Sequence, residues 1–310
     1  MQVLLMFSYK ALRQTAAAAL FALSVTTVTT GCDTLTNLVI SNEQEVAIGE
    51  EVDKQIRAEF TLLADTDPAS IWANDLVQQM VPASAQFRKP SDIGEYKVKV
   101  IYDNSLVNAF AAPGGYIYIV SGLVLTAGNC AEVAGVVGHE LAHVTQRHSV
   151  KKIAQSSAAL GLSDIVLNEG ITQSVAEGIY GFLLNTTFSR KDEKESDKVG
   201  TQIIYETGYN PYALAHMFQN LADLSAGNEP PRFLSSHPLS KDRVAAIENQ
   251  IESSWPGQVQ EYDDPALTYD CLLPAGSTSA SFEAVKTHLR TGTVTFDLNS
   301  NQNPTAPTTP

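Results

Sequence analysis

Five residues, His139-Glu140-Leu141-Ala142-His143, lie inside an otherwise apolar stretch, and they restrict the fold more than any other feature of the chain. Each residue turns an α-helix by about 100°, so His139 and His143 fall about 40° apart, one turn along the same face. Two imidazoles so placed can bind one Zn²⁺ together. Glu140 stands at the flank of that face, where a carboxylate reaches a water on the ion without being a ligand, the position of a general base. The alternative is a solvated face carrying two surface histidines. Val133, Val136, Val137, Leu141 and Val144 argue against it, because unpaired polar groups in so apolar a helix are costly. Only six histidines occur in 310 residues, so the spacing is a poor candidate for coincidence. Asn129 as cap with Glu132 three residues on marks the helix start, and the pattern predicts a helix to about Lys152.

A third ligand must come from elsewhere. Gln146 and Ser149 stand where a metzincin needs Gly and His, which excludes that class. His148 lies nine residues beyond His139, about 900° of rotation, so a continuous helix places it on the opposite, solvent face with Arg147. The segment from Phe188 to Gly200 offers a better donor. Glu193 and Asp197 are i, i+4 and share a face, and Gly200 falls close to it, where a missing side chain lets two helices approach. Glu193 can then bind the metal while Asp197 orients a histidine ring. Glu195, about 200° from Glu193, points away. Taken alone, this segment also reads as a solvated charge run; the upstream histidine pair favours the ligand.

The N-terminus reads as an address. Residues 1–31 hold no acid and two bases, Lys10 and Arg13, then an apolar run from Thr15 to Val28 and Thr29-Thr30-Gly31-Cys32. This describes a secretory signal, and small residues directly before a cysteine resemble the bacterial lipobox, with Cys32 as the lipidated residue. Ordinary cleavage nearby and an uncleaved anchor are the alternatives. Acyl chains on Cys32 would hold the domain on a membrane from the periplasm, and Asp33 resembles an inner-membrane retention signal. In that oxidising compartment Cys130 and Cys271 either pair or stand apart as a buried and a tail thiol. With 34 acids against 20 bases and a net charge of −14, the chain is a poor partner for nucleic acid. After the N-terminus no window of eighteen uninterrupted apolar residues occurs.

Helical patterns cover 41–63, 70–81 (ending before Pro82), Arg190–Thr207 (ended by Gly208), Pro211–Leu224 and 240–252; residues 153–187 are mostly helical. Tyr96–Tyr102 alternates as a strand, and Asn108–Val120 gives a second strand region broken by Pro113-Gly114-Gly115. The expected organisation is a signal over 1–31, a domain over 32–256 and an extension over 257–310 whose last ten or so residues are disordered.

Four blocks, in order, resemble one family. They are Asn108 to Tyr118, the His139–His143 helix, Ser189-Arg190 with Glu193 and Asp197, and Ser236-His237-Pro238 with Arg243. Together they make residues 40–252 similar to the HtpX-like and CAAX-prenyl-protease-like zinc metalloproteases, which include mitochondrial Oma-type and periplasmic lipoprotein members. The family usually has Ala before the Asp where this chain has Ser196. The resemblance implies an α+β, mainly helical, zincin-like domain with an active-site helix and a small antiparallel sheet. It implies one Zn²⁺ per chain on His139, His143 and Glu193, with Glu140 as the catalytic base. His237, before Pro238 in an expected loop, donates to an oxyanion or takes the open zinc position; a helix-entry loop histidine with neither role is the alternative. The strand Gly115, Tyr116, Ile117, Tyr118 is expected to be an edge that pairs with an extended peptide; a buried strand after a turn is the alternative. The implied activity is peptide hydrolysis in the bacterial envelope on unfolded or misassembled proteins. A chaperone or assembly factor that cuts rarely is the rival.

Overall fold

Ser41 opens the described fold with a reciprocal cap. In the computed structural model its hydroxyl accepts the Gln44 N–H while the Gln44 side chain accepts the Ser41 N–H, which starts α1 (Asn42–Glu59). The structure describes residues 40–160, 173–185, 187–226, 228–260, 262, 271–273, 277 and 279–297. The expected signal segment, Cys32, Asp33 and the tail from residue 300 lie outside them. α1 ends earlier than its pattern predicts, because Phe60 turns extended and Leu62 and Leu63 bridge to Ile101 and Phe296.

α2 (Pro68–Ser84) is capped by Asp67, whose carboxylate accepts the Ala69 N–H at 2.9 Å. It continues through Pro82, with the Ala85 N–H closing on Val81 O at 3.0 Å. The buried face of Trp72, Leu76, Val77 and Met80 outweighs the one donor that Pro82 lacks.

Three strands follow: β1 (Lys97–Ile101), β2 (Ala109–Ala112) and β3 (Tyr116–Val120). β3 is the central strand, parallel to β1 on one side and antiparallel to β2 on the other. The sheet is therefore mixed rather than antiparallel. The expectation that Gly115, Tyr116, Ile117 and Tyr118 form an exposed edge is corrected: both sides of this strand are paired, and all five residues of β3 are buried. Its run Tyr-Ile-Tyr-Ile-Val lacks polar alternation, as a strand covered on both faces does. The edge is β2. Between β2 and β3, Gly114 and Gly115 take φ of 73° and 77°, left-handed backbone that favours glycine and turns the chain back sharply.

α3 (Ser121–Thr126) leads to α4 (Cys130–Thr145), whose start is set by the Asn129 side chain accepting the Glu132 N–H at 3.1 Å. Every residue of α4 is buried. The helix does not run on to Lys152. It stops at Gln146, Arg147 takes φ of 57°, and a new helix α5 (His148–Leu160) sets off in another direction. Arg147 is held there by remote partners: its Nε lies 2.9 Å from Glu45 Oε2 and its Nη2 donates to Ile40 O at 2.8 Å. Glu45, 1 % exposed, is also gripped by Arg88 at 2.9 and 3.0 Å.

The remaining helices are α6 (Gln173–Asn185), α7 (Arg190–Thr207), α8 (Tyr212–Leu224), α9 (Arg232–Ser236), α10 (Lys241–Ser254) and α11 (Phe282–Thr291). α7 carries a cap between Ser189 and Asp192 and ends at Gly208, φ 98°. α7 and α8 pack on α4, and α10 on both of them, so the active helix is walled in by Val199, Ile203, Leu214 and Phe218. The described C-terminal residues join the same core. Cys271 is disulfide-bonded to Cys130, Phe282, Val285 and Leu289 are buried, and Asp297 pairs with Arg57. Mainly helical with a small sheet, the chain has the α+β class expected of it. Among the described residues no helix is long and apolar enough to cross a membrane.

Candidate metal centre

Four side chains converge in the interior. His139 and His143 come from one face of α4, Glu193 from the first turns of α7, and His237 from the loop after α9. One donor atom from each lies within 4.8 Å of all the others, and all four residues are buried. His139 Nε2 is 3.1 Å from His143 Nε2 and 3.3 Å from His237 Nδ1. Glu193 Oε1 is 3.5 Å from His143 Nε2 and 3.0 Å from His237 Nδ1, and its Oε2 is 3.6 Å from His139 Nε2. Donors about 2.0–2.2 Å from a tetrahedral ion stand about 3.3–3.6 Å from one another, so these separations fit a shared metal. The nitrogen-rich donor set with one carboxylate suits zinc among divalent ions.

The rings are oriented from behind. His139 Nδ1 faces Asp197 Oδ1 at 3.1 Å. Asp197 is itself held in a bidentate grip by Arg243, Nε to Oδ2 at 2.7 Å and Nη2 to Oδ1 at 2.6 Å. Arg243 Nη1 also reaches Glu193 Oε2 at 2.6 Å, and its guanidinium lies over the Phe218 ring at 4.7 Å. His237 stacks on Phe233 and Phe188, with ring centroids 4.7 and 5.3 Å away. Its Nε2 points at Glu140 Oε1, 3.4 Å distant.

Burial and charge set the protonation states. Burial pushes the Glu140 carboxyl up to about 7 against the opposing pull of His237, and the Ala111 backbone amide also helps to hold the charge. Burial raises Glu193 too, but His237, His143 and His139 outweigh it and the carboxyl ends well below its ordinary range. Asp197 is likewise lowered, burial being overcome by Arg243 and His139. Burial lowers His139 and His143, which favours the neutral, ligand-competent imidazole. His237 goes the other way: burial opposes its charge, but Glu193 and Glu140 raise it.

Glu140 borders a cleft. One wall is the β2 edge with Asn108, Phe110, Ala111 and Ala112; Val52 and Ile56 of α1, Tyr180 of α6, and Phe188 complete it. The structure thus brings His139, Glu140, His143, Glu193, Asp197 and His237 together. It does not bring Gly115–Tyr118 to the cleft as an edge. Cys32 lies outside the described residues.

His148 was expected on a solvent face, and that is corrected. The break at Arg147 turns it inward, 1 % exposed, with Nδ1 3.0 Å from His143 Nδ1. Arg243 and Phe188 also acquire roles at the site that their spacing did not reveal; Arg243 is six residues past His237 with no helical repeat linking it to Asp197.

The sequence profile of Peptidase family M48 matches residues 70–251. The chain belongs to that family. Among its relatives, the Beta-barrel assembly-enhancing protease of Escherichia coli is 29 % identical over 238 residues, covering 73 % of this chain and 47 % of that protein. Metalloprotease LoiP of Escherichia coli is 30 % identical over 260 residues, 76 % of this chain and 97 % of that protein. Mitochondrial metalloendopeptidase OMA1 of Schizosaccharomyces pombe is 28 % identical over 220 residues, 68 % and 62 % respectively. The chain spans about half the length of the beta-barrel assembly-enhancing proteases it matches. Within the M48 match lie His139, Glu140, His143, Glu193, Asp197, His237 and Arg243; the Cys271 bridge and α11 lie beyond it.

Proposed function

We propose that this chain is a zinc-dependent metalloendopeptidase of the bacterial cell envelope that hydrolyses misfolded or misassembled envelope proteins. The convergence of His139, His143 and Glu193, with Glu140 beside them at the floor of the cleft, carries the reading. His139, His143 and Glu193 would hold a zinc ion, which when bound would supply a Lewis acid for the scissile carbonyl and for water. Glu140 takes the proton from the attacking water and delivers it to the leaving amine, for which an acidity near neutrality is suited. Asp197, fixed by Arg243, faces Nδ1 of the His139 ring, whose Nε2 is turned towards His143 and His237, as a metal ligand would need. The outward edge of β2 offers an extended peptide a backbone to pair with, along the same cleft that Glu140 borders. The N-terminal signal pattern and Cys32 support export and lipid anchoring, and the names of the relatives support an envelope substrate.

A second reading, an assembly factor that cuts rarely, draws on His237. Its Nδ1 lies among the donor atoms, which supports a fourth ligand that closes the open position rather than an oxyanion donor. The test is to incubate zinc-loaded protein with casein and with an unfolded outer-membrane β-barrel protein, with and without a chelator. Cleavage that the chelator stops supports the protease. Protection of the barrel protein from aggregation without cleavage supports the assembly factor, and absence of stoichiometric zinc refutes both.

A further inference from the structure

A histidine that ligates a metal through Nε2 carries its proton on Nδ1, and in a buried site that N–H needs an acceptor. For His139 the acceptor is Asp197. Among the described residues no carboxylate pairs with His143 Nδ1; the Glu193 carboxylate meets Nε2 instead. What faces His143 Nδ1, at 3.0 Å, is His148 Nδ1. His148 is there only because α4 breaks at Arg147 and α5 begins with the ring folded back. Its other nitrogen, Nε2, lies 3.3 Å from Glu195 Oε2 and 3.8 Å from Asp192 Oδ1, both on α7. Ser196 Oγ lies 3.1 Å from His148 Nδ1.

The protons can be placed in one way when His143 presents Nε2 to an ion. His143 Nδ1–H donates, so His148 Nδ1 accepts, so His148 carries its own proton on Nε2 and donates it towards Glu195. Ser196 can add a hydroxyl donor to the same accepting nitrogen. Glu195 turns away from the ligand cluster, yet its carboxylate ends the chain that begins at His143. Ser196, where the family resemblance leads one to expect Ala, sits beside the middle of it.

We propose that His148 is the positioning residue of His143. It fixes the ring's tautomer and direction through a two-imidazole relay that ends on Glu195, with Ser196 supporting it. The two ligand histidines of α4 are thus oriented by different devices, a carboxylate directly for His139 and a second imidazole for His143. α7 supplies the anchor in both cases as well as Glu193, so one helix sets the three proposed ligands His139, His143 and Glu193. This inference rests on the metal-centre reading above.

The test measures zinc affinity of purified full-length protein by competition with a chromogenic chelator, beside the melting midpoint of the metal-free protein. His148→Phe keeps an aromatic ring of similar size but no acceptor. His148→Asn restores an acceptor oxygen near the place of Nδ1. The expected result is a loss of about 10–100-fold in zinc affinity for His148→Phe with an unchanged metal-free midpoint, and recovery of most of it in His148→Asn. Two-bond ¹H–¹⁵N spectra of the imidazoles should show His143 as a fixed Nδ1–H tautomer in the wild type and lose that signature in His148→Phe. Zinc affinity within about twofold of wild type in His148→Phe overturns the proposal, as does equal weakening in both variants. Should His148→Phe not fold, Glu195→Ala decides, because it removes the acceptor altogether and that side chain is 39 % exposed, so its loss is tolerable to the core; undiminished zinc affinity there overturns the relay. A wild-type chain that binds no zinc refutes the metal centre itself, whereas a zinc-binding wild type matched by its His148 variants refutes only the relay.

Discussion

A Cβ added to Gly200 would sit 3.0 Å from the carbonyl carbon and oxygen of Gly138 and 3.0 Å from His139 Cα. α7 therefore crosses α4 backbone against backbone, one residue from the first ligand. Helices usually pack about 8–10 Å apart, and side-chain-free positions are what permit a closer crossing. Gly200→Val should force the helices apart, lowering stability by about 1–3 kcal/mol and drawing Glu193 away from the histidines. Thermal unfolding and zinc titration measure both effects. A variant that melts and binds zinc like the wild type contradicts so close a crossing.

In the proposed mechanism Glu140 moves protons and does not bind the ion. Its carboxyl is not part of the four-donor cluster, and it borders the cleft instead. Glu140→Gln should keep zinc content unchanged and reduce peptide hydrolysis by at least about 100-fold. Elemental analysis and turnover of a fluorogenic peptide check it; undiminished turnover removes Glu140 from the mechanism.

Much of this centre was legible because its parts follow helical periodicity. His139, Glu140 and His143 lie on one turn, Glu193 and Asp197 on another, and Gly200 marks the crossing. What escaped was set by contacts remote in sequence. Nothing in Thr145-Gln146-Arg147-His148 is a helix breaker; Arg147 reaches its left-handed φ because Glu45 and Ile40, some hundred residues earlier, hold its side chain. An unbroken helix would carry His148 to the solvent face, whereas the break at Arg147 lays it against His143. Strand order was hidden for a similar reason: strand propensity identifies β3, but only pairing with both β1 and β2 makes it central. Of the two states left open for Cys130 and Cys271, the structure adopts the pair.

That pair ties the first residue of α4 to the C-terminal segment, closing a separation of 141 residues, with Trp72 Nε1 3.0 Å from Cys271 Sγ. Cross-links of this kind typically stabilise by about 2–4 kcal/mol. A reductant should lower the melting midpoint of the wild type and leave that of Cys271→Ser, already lowered, unchanged. A wild type in which Cys130 and Cys271 are alkylated under denaturing conditions without reductant, and whose midpoint ignores the reductant, contradicts the bridge.

Glu193 should matter to the metal more than to the metal-free fold. It presents its carboxylate within 3.6 Å of both α4 ligands, and its charge is stabilised by His237, His143 and His139 despite burial. Glu193→Gln keeps the shape but removes the anionic donor. Zinc affinity should fall by about 10-fold or more, as loss of a ligand does at least as much damage as loss of its supporting partner. Competition with a chelator measures this, and an unaltered affinity shows that the carboxylate is not a ligand.

The last prediction concerns pH and uses the metal-free protein. Burial raises the folded-state pKa of Glu140 to about 7, against a reference of 4.5, so between those values the folded chain holds a proton that the unfolded chain releases. The sign follows: the charged carboxylate costs stability above about pH 7, and the cost disappears as pH falls through 4.5. Gln cannot ionise. Glu140→Gln should therefore melt above the wild type at pH 8, and the gap should shrink towards pH 5. A shift of this size corresponds to about 3 kcal/mol at most. His237, Glu193 and Arg243 face the same carboxylate, and His237 in particular gives back part of that cost when protonated. Differential scanning calorimetry of both proteins in chelator, at several pH values, measures the gap. A constant gap across the range would mean that Glu140 ionises in the fold as it does in the unfolded chain, and that burial does not tune the proposed base.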